Sequence, residues 1–227
     1  MRNNRLIILS ALKSELKFIL ENLSNVKKED SFHFGTFEGI NVIAAKSGLG
    51  KVRSAAFTQY CIDKFNDLEL IVNFGCCGQI NENFLLGDTV FCEKTVEYDF
   101  ISLRNFVPFF EIECEFEKKF LKDFGFKTGI LLTGTQNIDS KDKKIFLKEK
   151  FNGSIGDWEG SAIAQISLLN KKRVMIFKCV TDRGDENLLN DFKENFETAM
   201  KQSSYLVLKF LSFLNRKGCL FQTIHNR

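Results

Sequence analysis

The alternation of short apolar segments with amphipathic ones constrains the fold of this chain more than any other feature of its sequence. The segment RLIILSA (5–11) is a continuous apolar run typical of a buried strand, and KSELKFILENL (13–23) carries leucine and isoleucine at helical spacing. The pattern recurs in the apolar segments LELIVNFGC, FKTGILLTG and RVMIFKCVTD, which predicted helices separate. Strands that alternate with helices favour an α/β sandwich with a largely parallel or mixed sheet.

No internal repeat or linker divides the 227 residues, so we expect a single domain over 1–227 with a loose tail at 216–227. The segment SFHFGTFEGINVIAAKSG is typical of a hairpin that turns near Glu38-Gly39, and the small residues CCGQ predict a turn after LELIVNFGC. Residues 113–123 and 190–214 are predicted to be helical. In such folds ligands bind beyond the carboxyl ends of the strands. The loops that we expect to carry function are therefore 10–15, 75–79, 133–138 and 181–185.

Composition and charge argue against several function classes. The net charge is only +3, and no basic cluster is interleaved with aromatic residues, so neither nucleic acid nor an anionic membrane is an expected partner. The N-terminal apolar run is short and meets charge at once, unlike a signal peptide or a spanning helix. The seven cysteines form no C-x-x-C pair and are interpreted as buried thiols in a reducing compartment. We expect a cytoplasmic protein without a metal or cofactor.

The choice of catalytic side chains is narrow. The only histidines, His33 and His225, lie outside any motif, so a general acid or base is expected among the carboxylates, lysines, cysteines and tyrosines. The stretch AAKSGLGKVRS is not a phosphate-binding loop, because Ala45 and Val52 occupy the positions that require Gly and Ser or Thr. It predicts either a tight turn or a site where free amides bind an anion or a hydroxyl.

Three carboxylates stand at predicted strand ends. Glu15 follows the first strand, Glu159 opens a helix in GDWEGSAIAQ, and Asp182 ends RVMIFKCVTD. Taken singly, they have ordinary interpretations as a solvated helix residue, an acid favoured by the helix dipole and an N-cap. Taken together, acids at one edge of a sheet suit the cleavage of a glycosidic bond, which needs two or more carboxylates around one sugar.

Seven motifs occur in an order that resembles a known superfamily. They are SALKSEL, SGLGKVRSAA, NFGCCG, GDTV, LLTG, GDWEGSAIAQ and VTDRGD, and the likeness spans residues 5–212. In this order they resemble the purine nucleoside phosphorylase/hydrolase superfamily, and within it the 5′-methylthioadenosine/S-adenosylhomocysteine nucleosidases. The resemblance implies a three-layer α/β/α sandwich with a central mixed sheet. It also implies hydrolysis of the N-glycosidic bond of a purine nucleoside, a step of methionine salvage.

The resemblance assigns a role to each of the three carboxylates. Glu15 would activate the attacking water, Glu159 would bind the ribose 2′ and 3′ hydroxyls, and Asp182 would protonate N7 of the departing purine. Thr181 precedes that aspartate in the family's pattern, and Phe192 falls where an aromatic residue packs near the ribose. The further residues expected to bind the substrate are Leu49, Cys76, Cys77, Gly78, Asn137, Ile138 and Trp158.

Two departures from the family's pattern concern the substrate. Trp158 stands where the family has Met at the ribose, and Asn137 stands where a Phe stacks on adenine, so another purine nucleoside or a larger 5′ substituent is an alternative. SALKSEL lacks the Arg that binds phosphate in phosphorylases, which favours water as the nucleophile. A phosphate-dependent phosphorylase and a catalytically altered binding protein remain alternatives. The segment RNFVPFFEIE is expected to expose four apolar side chains around Pro108, and the resemblance implies a homodimer.

Overall fold

The computed structural model describes residues 5–100, 107–112, 116 and 118–221. The strands are β1 (Arg5–Ser10), β2 (Ser24–Glu29), β3 (Phe32–Phe37), β4 (Ile40–Lys46), β5 (Leu68–Gln79), β6 (Thr89–Glu97), β7 (Phe109–Glu111), β8 (Lys127–Thr133), β9 (Ile155–Asp157) and β10 (Arg173–Asp182). The helices are α1 (Lys13–Asn22), α2 (Lys51–Lys64), α3 (Lys119–Asp123), α4 (Lys141–Phe151), α5 (Gly160–Leu169) and α6 (Leu188–Arg216).

The ten strands form one mixed sheet, as the sequence predicts. β1 runs parallel to β4 and β5, and β5 runs parallel to β10. β6 is antiparallel to β10 and parallel to β8, which leads through β9 back to the end of β5. The strands β5, β10, β6, β8 and β9 therefore close a ring beside the open part of the sheet. This closure brings the end of β8 next to the ends of β5 and β10, although β8 does not run parallel to them.

The helices lie on both sides of the sheet and complete the three layers. α1 packs against α6 on one side, and α2 packs against α5 on the other. The apolar runs of β1, β5 and β10 are almost entirely buried between these layers. Aromatic rings join α6 to the sheet, with the Phe210 ring 5.1 Å from the Phe126 ring and 5.9 Å from the Phe177 ring. Burial of this aromatic cluster is a large apolar contribution to the stability of the domain.

Three local predictions need correction. CCGQ is no turn, because β5 continues through it to Gln79. Leu220 is fully buried and its carbonyl accepts a hydrogen bond from Arg173, so the tail is packed at least to that point, while 222–227 lie outside the described residues. Only α3 is helical in the described part of 113–123. The short strands β2 and β9 were not predicted.

The predicted apolar loop around Pro108 is also only partly exposed. Phe109 is 51% exposed, but Val107 and Phe110 pack against the buried core, and β7 pairs with β6. Phe106 lies outside the described residues. The hairpin is confirmed, since β3 and β4 pair around a turn in which Glu38 and Gly39 both have positive φ. Within the described ranges no helix is long and apolar enough to cross a membrane.

Candidate active site

The predicted site residues converge on one cavity of about 320 Å³ at the ends of β1, β5, β9 and β10. Thr181 does not line it. This residue is fully buried behind the wall, where its hydroxyl donates to the carbonyl of Cys77 at 3.3 Å. The other eleven predicted residues all line the cavity: Glu15, Leu49, Cys76, Cys77, Gly78, Asn137, Ile138, Trp158, Glu159, Asp182 and Phe192.

Glu15 is held by two backbone amides. It lies in the first turn of α1, where its Oε2 accepts from the amide of Leu12 at 2.8 Å, an arrangement that caps the helix. Its Oε1 accepts from the amide of Cys76 on β5, also at 2.8 Å. Only 2% of the residue is exposed. The two amides donate to different oxygens of the carboxylate and so fix the orientation of the side chain in the cavity.

Asp182 is a buried carboxyl with weaker support for its charge. Burial raises its pKa to about 6, and the nearby Asp191 and Asp185 act in the same direction. The amide of Gly184 donates to Oδ1 at 3.0 Å, and the Thr181 hydroxyl lies 3.4 Å from Oδ2, which opposes the rise without cancelling it. A carboxyl whose pKa lies near 6 still carries its proton in about a tenth of the molecules at pH 7. It can therefore act as a general acid.

Two glycines of β5 make room for these carboxyls. A Cβ atom built on Gly75 would lie 2.7 Å from Oε1 of Glu15, and one built on Gly78 would lie 2.8 Å from Oδ1 of Asp182. Both separations are shorter than a Cβ atom allows. The NFGCCG segment is therefore a strand whose missing side chains let two carboxyls from other elements approach its backbone.

Glu159 joins the site to the glycine-rich segment before α2. Its Oε1 accepts from the amide of Gly50 at 2.8 Å, so this amide is occupied by a carboxylate of the chain itself rather than by an external anion. Burial raises the pKa of Glu159 to about 7, Asp157 adds to the rise, and Lys178 and the Gly50 amide oppose it. At neutral pH Glu159 is therefore only partly ionised until further donors or cations reach it.

Lys51, the first residue of α2, forms ion pairs with the end of β6 and the loop that follows it. Its ammonium contacts Glu97 and Asp99, each at 2.6 Å. Asp99 in turn accepts from the amide and the hydroxyl of Thr135, both at 2.8 Å. Lys51 therefore anchors the segment that carries Leu49 and Gly50 against the loop after β8, and it is not free to bind phosphate.

Sequence reasoning missed a buried ion pair beneath the carboxylates. Lys178 on β10 lies 2.7 Å from Oδ2 of Asp157, and both side chains are only 2% exposed. Asp157 also accepts from the hydroxyl of Thr133 at 2.7 Å and from the amide of Gly160 at 2.9 Å. Burial alone would lower the pKa of Lys178, but Asp157, Glu159 and Glu15 outweigh it and raise this pKa. One permanent cation thus lies beneath the carboxylates of the site.

The remaining walls of the cavity are apolar or neutral. Trp158, 36% exposed, and Phe192 supply aromatic faces. Burial raises the pKa of both Cys76 and Cys77 well above the usual value, so the thiols stay protonated and serve as walls rather than nucleophiles. The loop after β8 adds Asn137 and Ile138, and Ile138 packs closely enough on Gly156 to exclude any side chain there. Within the described part of the chain, no group of three His, Cys, Asp or Glu residues could hold a metal ion.

Comparison with known proteins matches this arrangement to a family. The sequence signature of the phosphorylase superfamily matches residues 5–212. The chain is 29% identical to the 5′-methylthioadenosine/S-adenosylhomocysteine nucleosidase of Buchnera aphidicola subsp. Schizaphis graminum, over 94% of this chain and 98% of that protein. It is 27% identical to the aminodeoxyfutalosine nucleosidase of Campylobacter jejuni, over 90% of this chain and 97% of that protein.

Solved structures agree in fold. The 5′-methylthioadenosine/S-adenosylhomocysteine nucleosidase of Helicobacter pylori has a TM-score of 0.83 and 23% identity, covering 94% of this chain and all of that one. The futalosine hydrolase of Helicobacter pylori has a TM-score of 0.82 and 23% identity, covering 93% of this chain and 98% of that one. At this level of identity the structural likeness establishes the fold.

Proposed function

The chain belongs to the phosphorylase superfamily, and we propose that it is a purine nucleoside N-ribosyl hydrolase, releasing a free base and a ribose derivative. The observation that carries this proposal is the convergence of three buried carboxyl groups, Glu15, Glu159 and Asp182, on a single cavity. Cleavage of a glycosidic bond passes through an oxocarbenium-like transition state, which such groups stabilise by charge and by proton transfer.

Asp182 is the proposed acid. A purine anion is a poor leaving group, so N7 must gain a proton as the bond between C1′ and N9 breaks. Asp182 supplies it, because burial holds its pKa at about 6, well above that of an exposed aspartate. Proton transfer from a positioned side chain is worth roughly 10²- to 10⁴-fold in rate.

Glu15 is the proposed base. Its two backbone hydrogen bonds orient the carboxylate towards the position from which it would accept a proton from water. The contact with Cys76 fixes it against β5, the same strand that passes Asp182 two residues later at Gly78. The strand therefore sets the separation of base and acid, with the sugar between them.

Glu159 is the proposed ribose ligand. Two ribose hydroxyls can donate to its carboxylate and supply the donors that its partly protonated unliganded state lacks. Binding then draws Glu159 into its charged form, close to the sugar that develops positive charge in the transition state. Lys178, beneath the site, limits the mutual repulsion of the carboxylates without lining the cavity.

Water is favoured over phosphate as the nucleophile. Neither arginine nor lysine is among the described residues that line the cavity, whereas four carboxyl groups are: Glu15, Asp157, Glu159 and Asp182. A phosphate dianion would meet repulsion there, and neutral water would not. Phosphorolysis is therefore the second candidate, and a requirement of phosphate for turnover would establish it.

The substrate class that we propose is a purine nucleoside of the 5′-methylthioadenosine/S-adenosylhomocysteine type. The relatives with these activities in their names align over nearly the whole chain. Under this proposal Trp158 would lie at the ribose and Asn137 at the base, and both residues line the cavity. We also propose a homodimer in a reducing cytoplasm, in keeping with the six described cysteines, all of which are free.

Product analysis tests the proposal. Purified protein is incubated with 5′-methylthioadenosine, S-adenosylhomocysteine, adenosine and inosine, each with and without phosphate, and bases and sugars are separated by chromatography. We expect free base and free sugar without phosphate. We also expect Glu15→Gln to lose at least about 100-fold in kcat/KM, and Glu21→Gln, an exposed change on the same helix, to lose nothing. Base release only with phosphate would establish the phosphorylase, and binding without product would establish a binding protein.

A further inference from the structure

A second buried lysine, Lys144, lies outside the cavity and behind the proposed acid. It stands in the first turn of α4 and is 9% exposed, although the helix around it is largely polar. Its ammonium donates to Oε1 of Gln79 at 2.6 Å and to the carbonyl of Arg183 at 2.9 Å. A lysine is seldom buried unless its donors are satisfied, and here both partners belong to other elements.

The Arg183 carbonyl belongs to the turn that orients Asp182. This turn runs from Asp182 to Gly184, whose amide donates to Oδ1 of Asp182. Gly184 has φ of +60°, and a Cβ atom there would lie 2.4 Å from the carbonyl of Gln79. The turn is therefore pressed against the end of β5 and tied to α4 by Lys144 through the peptide between Arg183 and Gly184.

Asp191 holds the other side of the same turn. It is 5% exposed, and its carboxylate accepts from the amide of Arg183 at 3.1 Å and from the Arg183 guanidinium at 2.6 Å. The peptide groups on either side of Arg183 are thus both held by hydrogen bonds. Asp191 accepts from the amide, and Lys144 donates to the carbonyl.

The titratable groups around this turn come from α4, α6, β5 and the loops after β5 and β10. Asp182 is faced by Asp191 from α6, by Asp185 from its own loop and by the Cys77 thiol from β5. Lys144 is faced by Asp182, Asp185, Glu82 and Lys148. Burial lowers the pKa of Lys144, whereas Glu82, Asp185 and Asp182 oppose that fall and favour the charged form. An ammonium in this place favours the ionised form of Asp182, against the burial that disfavours it.

We propose that Lys144 is a positioning residue for the general acid: it fixes the Asp182–Gly184 turn through the Arg183 carbonyl and keeps Asp182 from becoming too weak an acid. The inference rests on the proposed function, because it takes Asp182 as the group that protonates the purine. Lys144 touches no substrate in this arrangement and acts only through Asp182.

Three variants separate the hydrogen bond from the charge. Lys144→Met removes both, and Lys144→Gln keeps a donor for the Arg183 carbonyl without the charge. Lys148→Met removes a half-buried lysine one turn later on the same helix. The Asp182 carboxyl is titrated by carbon NMR of protein labelled at aspartate, with Asp182→Asn to assign its signal. The kcat and kcat/KM profiles against pH are measured in parallel, and thermal unfolding shows which variants remain folded.

We expect the Asp182 titration to move to higher pH in both Lys144 variants and to stay in place in Lys148→Met. In Lys144→Met kcat should fall at least about 10-fold, and in Lys144→Gln it should stay within a few-fold, with the alkaline limb of kcat/KM displaced upward in both. An unmoved titration in Lys144→Gln, the variant that disturbs packing least, would overturn the inference. The titration needs no turnover, so it decides this point even if the wild-type protein releases no base and the proposed function fails.

Discussion

Replacement of Asp182 by Asn should lower kcat/KM on a purine nucleoside roughly 10²- to 10⁴-fold. It should also stabilise the fold, and the stabilisation should depend on pH. Burial raises the pKa of this carboxyl from 3.8 to about 6. A raised pKa means that the fold disfavours the charged form. The contribution of this group to the free energy of unfolding is therefore fully present below its unfolded pKa near 4. It is lost as the pH rises through about 6. The difference of about 2.2 pH units corresponds to about 3 kcal/mol at pH 8.

Asparagine is close to an isostere and can keep the local contacts. Its Oδ1 can still accept from the Gly184 amide, and its NH₂ group can donate to the Thr181 hydroxyl, which still donates to the Cys77 carbonyl. The wild-type carboxyl is mostly neutral at pH 5 and charged at pH 8. Linkage therefore predicts that Asp182→Asn gains about 1.5 kcal/mol at pH 5 and about 3 kcal/mol at pH 8.

Urea unfolding followed by circular dichroism at the two pH values measures both numbers, provided that the slope of the transition is unchanged. Glu186→Gln, an exposed acid on the same loop, is the matched control and should change the free energy of unfolding equally at both values. A change in Asp182→Asn that is the same at pH 5 and pH 8, or a loss at pH 8, would refute the raised pKa and with it the reason for assigning Asp182 as the acid.

Three further predictions concern other parts of the site. Gly75→Ala should cut kcat/KM at least about 10-fold, because its Cβ would displace the Glu15 carboxylate; thermal unfolding should show that the fold survives. Lys178→Met should lower the free energy of unfolding by about 3–5 kcal/mol, since it leaves a buried partner without its cation, and an added Asp157→Asn should restore part of the loss. Binding of a non-hydrolysable nucleoside analogue should strengthen as pH rises through about 7 and Glu159 ionises; calorimetry on Glu159→Gln should find weaker binding without that trend.

The fold was largely predictable because the strands that build it are apolar and the helices between them are periodic. Local sequence alone predicted β1, β10 and the hairpin of β3 and β4. The small residues at the end of β5 did not indicate a strand. Glycine and cysteine there are typical of a turn, yet Gly75 and Gly78 are small because carboxyl groups from α1 and β10 approach the strand. That requirement comes from residues that are distant in the chain, so it leaves no pattern in the local sequence.

The site was predictable only in part, and for a similar reason. Glu15, Glu159 and Asp182 stand in recognisable motifs, and the structure brings them together. Lys178 gave one signal, a single charge inside the apolar run RVMIFKCVTD, but its partner Asp157 lies on another strand and only the closed ring of strands brings them together. In the same way, no local feature distinguishes Lys144 from its neighbours in KDKKIFLKEK, because burial is decided by what α4 packs against.

The measurement that tests the central division of roles most directly compares two leaving groups. The base of a purine nucleoside needs a proton in order to leave. A nitrophenyl riboside instead releases nitrophenolate, a stable anion that needs no proton. We expect Asp182→Asn to lose roughly 10²- to 10⁴-fold in kcat/KM on the purine nucleoside and less than about 10-fold on the nitrophenyl riboside. Glu15→Gln, by contrast, should lose activity on both. Equal losses on both substrates in Asp182→Asn would contradict the assignment of Asp182 as the general acid.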